Sequence, residues 1–161
     1  MRKTIIGLAV LFLAISCKEG QKKNYPETET NVETVGHESH AGATHVPDDA
    51  WVNEIVLDNG VKWMANKETT DGVRKMLALI GDNKASTSEA YRELGNSLNE
   101  VKNTVVKECT MEGASHDNLH VWLHPLIEKI ELLQKTENAE EGAQLTSNIK
   151  NHLEGYFDYF N

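Results

Sequence analysis

Residues 49–161 of this sequence predict an all-α fold, an up-down-up-down four-helix bundle carrying a short extended N-terminal arm. Three observations predict it. Four stretches repeat apolar residues at alternating spacings of three and four, the period that lines one side of a helix. Polar residues suited to capping stand before most of them. The connections are only a few residues long, which makes sequential helices antiparallel neighbours. About 110 residues are enough to enclose a single core.

The elements follow in chain order. Met1-Arg2-Lys3 is a basic start, and an apolar run from Ile5 to Ile15 follows it. That run is shorter than the roughly 20 residues of a membrane-spanning helix and fits a secretory signal. Residues 1–16 are therefore expected to be a signal peptide. The run ends in Leu13-Ala14-Ile15-Ser16-Cys17, which resembles the lipobox of bacterial lipoproteins. The resemblance implies that Cys17 is diacylated and becomes the first residue of the mature chain, anchoring it to a membrane. Each buried methylene of the acyl chains contributes about 0.8 kcal/mol to that anchoring. Lys18 after the lipidated cysteine suits outer-membrane sorting under the enterobacterial rule. Residues 17–48 are polar, with Thr/Glu alternation, and read as a tether with too little apolar surface to fold. They include His37, His40 and His45, a compositional hint of metal capture.

The folded part begins near Pro47 or Trp51. Ile55-Val56-Leu57 and Val61-Lys62-Trp63-Met64 flank Asp58-Asn59-Gly60, suggesting an extended arm with a tight turn that packs a tryptophan on the bundle. The first helix is expected over about 70–82, with Val73, Met76, Leu77 and Ile80 on one face. The second is expected over about 87–109, opened by a Ser86/Glu89 capping pair, its stripe running Tyr91, Leu94, Leu98, Val101, Val105. The third is expected over about 116–135 behind a Ser115 cap, with Leu119, Leu123, Leu126, Ile130 and Leu133 inward. Pro125 inside it removes the donor for the Val121 carbonyl and could kink or break the helix. The fourth is expected over about 139–160, capped by Asn138 with Glu141 three residues on.

Charge and cysteine usage narrow the function. The formal net charge is −9; without Arg2 and Lys3, 14 basic residues face 25 acidic ones, giving −11. An acidic domain with no basic stripe is a poor match for phosphate backbones, so nucleic acid is set aside. With Cys17 used by lipid, Cys109 has no disulfide partner in the chain.

Cys109 stands at the head of the motif Cys109-Thr-Met111-Glu-Gly-Ala-Ser-His116-Asp-Asn-Leu-His120-Val-Trp-Leu-His124-Pro. The second helix's stripe extends from Val105 to Cys109, and Gly113 lets the chain turn sharply between Cys109 and His116. With Leu119 at zero on a helical wheel, His116 falls near 60°, His120 near 100° and His124 near 140°. His116 then points inward, His120 sits on the boundary and His124 faces mostly outward. His116 and His120 lie one turn apart, as two ligands of one metal require. An up-down bundle also brings the end of the fourth helix here, with His152, while Met64 and Met76 add thioethers. The expected site is Cys109, His116 and His120, with Met111 and His152 as additions. Thiolate, thioether and imidazole suit Cu(I) or Zn(II) and not Mg or Ca. Taken singly, each residue also has a plain structural role: Cys109 a small buried hydrophobe, Met64 and Met76 core filler, His124 solvated, His152 structural.

The stretch from Cys109 to Pro125, with Lys62-Trp63-Met64-Ala65-Asn66-Lys67 upstream, resembles uncharacterised helical-bundle lipoproteins of Bacteroidota, a resemblance that implies fold and envelope location but no activity. The architecture is also similar to periplasmic four-helix cytochromes of the b type, which implies haem between Met76 or Met64 and His152. Covalent haem attachment is excluded, because there is no Cys-x-x-Cys-His. No Ser-His-Asp arrangement, phosphate-cradling glycine loop or paired-carboxylate spacing argues for an enzyme. The expectations are thus a tethered metal-binding module, a haem-b electron carrier, or a bundle that docks an envelope protein through an apolar patch of Trp51, Trp63, Trp122 and Tyr159.

Overall fold

A computed structural model describes residues 49–161. The signal, Cys17 and the tether with His37, His40 and His45 lie outside the described residues. After a 3-10 turn at Ala50–Asn53 come α1 (Lys67–Asp82), α2 (Ser88–Glu108), α3 (Gly113–Leu133) and α4 (Ala139–Tyr159). They form an all-α four-helix bundle, and no described helix is long and apolar enough to cross a membrane.

Close approaches fix the helix directions. Gly72, early in α1, packs on Val105, late in α2; Gly95, early in α2, lies against Leu133 and Gln134 at the end of α3. Trp122 of α3 bonds to His152 of α4, and Thr70 of α1 meets the Tyr156 hydroxyl at 3.0 Å. Each of these pairs is antiparallel. Gly142 and Tyr91, at the starts of α4 and α2, face one another across the diagonal. Trp122, Met76, Leu98, Leu126, Ile130, Leu145, Ile149 and Tyr156 fill the interior with no exposure.

The caps depart in part from expectation. Thr87, not Ser86, caps α2, its hydroxyl accepting from the Ala90 N–H at 3.2 Å. At α3 the helix starts three residues before His116: Glu112 holds the N-cap position, and Ser115 donates to the Glu112 carbonyl instead of capping. Asn138 caps α4 by accepting from Glu141 N–H at 2.8 Å. Helix α1 starts at Lys67, earlier than the stripe suggests, because its first turn carries buried threonines. There the Thr69 hydroxyl donates to Asn66 Oδ1 at 2.6 Å. Pro125 does not break α3, which runs through it to Leu133.

No strand forms among the described residues; the arm makes single bridges. Asp58 pairs with Val61 around Asn59 (φ 50°) and Gly60 (φ 85°), successive left-handed residues that reverse the chain tightly. Trp63 pairs in parallel with Phe160, so the arm holds the end of α4. Asn118 of α3 ties the arm down by accepting from Val56 N–H at 2.9 Å. Trp51 lies over Gly155 on α4 and is 4% exposed.

Candidate metal site between the second and third helices

The corner between α2 and α3 positions the motif. Cys109 follows the last residue of α2 in extended conformation (φ −66°, ψ 123°). The amide of Asn66 holds the preceding carbonyl of Glu108 at 3.1 Å, linking the corner to the start of α1. Gly113 has φ +61°, a conformation that costs little only without a Cβ, and it aims the chain into α3. His116, His120 and His124 then follow at intervals of four, forming one row along α3.

Cys109, His116, His120 and His124 line a single pocket of about 250 Å³, whose remaining walls are Val105, Val106, Leu119, Leu123 and Ile127. Cys109 and His116 are half-buried, and His120 and His124 are exposed. The rings are joined nitrogen to nitrogen: His120 Nε2 is 3.1 Å from His116 Nε2, and His120 Nδ1 is 3.0 Å from His124 Nε2. Each pair crosses nearly at right angles, at 88° and 80°. Burial, reinforced by the neighbouring His116 and His124, lowers the His120 pKa against the opposing pull of Asp117, which favours the neutral ring. No three His, Cys, Asp or Glu side chains among the described residues surround one point as a bound metal would require. The His116 and His120 Nε2 atoms nonetheless stand close to the roughly 3.3 Å that two nitrogens subtend at a tetrahedral ion about 2.0–2.1 Å from each.

The other expected residues lie elsewhere. His152 is fully buried, and both its ring nitrogens are occupied: Nε2 donates to the Trp122 carbonyl at 2.8 Å, while Nδ1 accepts from Lys129 Nζ at 3.2 Å. Lys129, itself 1% exposed, also pairs with Asp49 at 2.5 Å. The cause is the face α3 turns to α4: the Trp122–Lys129 side meets His152, and the histidine row faces away toward the end of α2. Burial first, then the Lys129 charge, pushes the His152 imidazole down to about 4 against the Trp122 carbonyl and Asp49. Burial alone would raise the Asp49 carboxyl; the hydrogen bond and charge of Lys129 outweigh it and hold Asp49 below the ordinary value.

Met111 is half-buried, packed on the core, and is not part of the pocket wall. Met76 is fully buried and Met64 is 74% exposed, while both ring nitrogens of His152, the histidine expected for haem, are bonded within the protein. His124 is the residue that sequence reasoning placed outside the site; its signal was the i, i+4, i+8 repeat itself, which makes a continuous ridge of neighbouring rings. The tryptophan patch is also absent: Trp51 and Trp122 are buried, and Trp63 and Tyr159 are half-buried. No family model, curated protein or solved structure matches the chain.

Proposed function

We propose that this chain is a lipid-anchored envelope protein whose bundle binds one soft transition-metal ion, Cu(I) or Zn(II), through Cys109, His116 and His120. The observation that carries the reading is that Cys109, His116 and His120 line one pocket with aliphatic walls, with the Nε2 atoms of the two imidazoles facing one another at 3.1 Å; an ion there would replace that ring–ring hydrogen bond and draw the thiol onto the pair. The ligand set is soft to borderline, which favours these ions over magnesium or calcium. The lipobox-like Leu13–Cys17 run supports the anchor. Met111 and His152 are left out of the ligand set, and the His37–His45 stretch would serve as a collector of ions for the pocket.

Metal analysis of untagged protein purified from its membrane, followed by Zn(II) and Cu(I) titration, tests this. One ion per chain is expected, with binding lost in Cys109→Ala/His116→Ala. A chain that takes up neither ion, or a double variant that binds as wild type does, would refute it. Globomycin-sensitive processing and loss of membrane association in Cys17→Ala would test the anchor.

A second reading, docking to another envelope component, draws on the arm, where Val56, Leu57, Val61 and Met64 are exposed. It expects a metal-free chain that copurifies with a partner and loses it in Val56→Asp/Val61→Asp.

A further inference from the structure

The middle ring of the row has a proton inventory that assigns a role to the third. His120 uses both nitrogens, Nε2 toward His116 and Nδ1 toward His124. A neutral imidazole has one N–H and one lone pair, so it cannot offer lone pairs in both directions. His116 lines the thiol-bearing pocket, whereas His120 and His124 also border a wider groove on the other flank of α3, beside Asp117 and Glu128. The ligating pair is therefore the inner one, the two facing Nε2 atoms.

We infer that His124 is a positioning residue, which fixes His120 as its Nδ1–H tautomer and so aims the Nε2 lone pair into the Cys109 pocket; this rests on the metal-binding reading above. An ion between His116 Nε2 and His120 Nε2 requires both those nitrogens bare. The His120 proton then sits on Nδ1 and is donated to His124 Nε2, 3.0 Å away. His124 keeps its own proton on Nδ1, toward solvent. No proton is created or lost within the row: the three rings take one common tautomer. A hydrogen bond from the outer nitrogen of a ligating histidine orients the ring and raises its basicity, and losing it typically weakens binding about 10–100-fold. His124 gives that partner from the same helix, one turn beyond the ligand it serves, so the two rings are aligned by the helix itself.

Zn(II) competition titration and Co(II) absorption of His124→Leu and His124→Gln test the inference. Glutamine is chosen because its amide oxygen can accept at about the reach of Nε2. His124→Leu should bind Zn(II) about 10–100-fold more weakly, and His124→Gln should return to within a few-fold of wild type. One Co(II) per chain should bind in all three, with the thiolate charge-transfer band retained in His124→Leu and absent from Cys109→Ala. In the wild-type metal-bound protein, nitrogen-15 NMR should show His120 protonated at Nδ1. A His124→Leu variant with unchanged affinity, or two ions per chain in wild type with His124 as a ligand, overturns the inference and leaves the metal-binding reading standing. A wild type that binds neither Zn(II) nor Co(II) overturns both.

Discussion

Helix α3 carries histidines or meets them on two sides, and the two environments are opposites. On the α4 side, His152 is sealed between Trp122, Lys129 and Trp51, with every nitrogen bonded to backbone or ammonium. On the α2 side, three imidazoles are bonded only to one another, next to a thiol and to water. The first arrangement spends the ring on stability. The second leaves exchangeable lone pairs, since a ring–ring hydrogen bond can be given up for a metal at small cost. A histidine's type and helical spacing do not distinguish these cases; what its two nitrogens already hold does.

The comparison can be broken most forcefully on the buried side. Trp122→Ala removes a fully buried indole and its bond to the His152 carbonyl, and a loss of about 3–5 kcal/mol is expected in denaturant unfolding. A loss below 1 kcal/mol would mean that this side is not the structural one.

Acid should act on the same side. Unfolded His152 takes a proton near its ordinary 6.5 and the folded ring only at about 4, so between these values the unfolded chain holds more protons. The contribution is complete above pH 6.5 and falls away as the pH drops to about 4, by about 3 kcal/mol. Unfolding curves from pH 7.5 to 4 should show that slope, and His152→Gln should flatten it while lowering stability at pH 7. An unchanged slope in the variant would place the titration elsewhere.

Metal should act on the other side. Zinc at about 100 times its dissociation constant should stabilise the wild type by about 2.7 kcal/mol, read as a rise in melting temperature that Cys109→Ala lacks. Gly113→Ala, at φ +61°, should cost about 1 kcal/mol and weaken metal uptake by re-aiming the corner. The smallest effect is expected from His116→Ala and His120→Ala without metal, within about 0.5 kcal/mol of wild type. A larger loss in the metal-free protein would make the exposed row structural after all and erase the contrast.

Much of the bundle was legible in the chain. The stripes of α2, α3 and α4, the Asn138 cap and the short loops all follow from local pattern, because side-chain period and loop length act within a few residues. The early start of α1 and the Thr87 cap were not legible, since Thr and Ser next to one another compete for one cap and buried threonines look polar in a stripe. Cys109 and His116 could be placed together from sequence, since one turning glycine and a short corner separate them.

What the sequence determined by itself is therefore the number and order of the helices, their inward stripes and the closeness of Cys109 to His116 along the chain. What only the tertiary structure decided is which flank of α3 meets α4. A helical wheel gives a side chain's angle from its own core, and not the neighbour that covers that angle. That packing sealed His152 with Lys129 and left His124 beside the pocket, because burial is set by the helix across the interface.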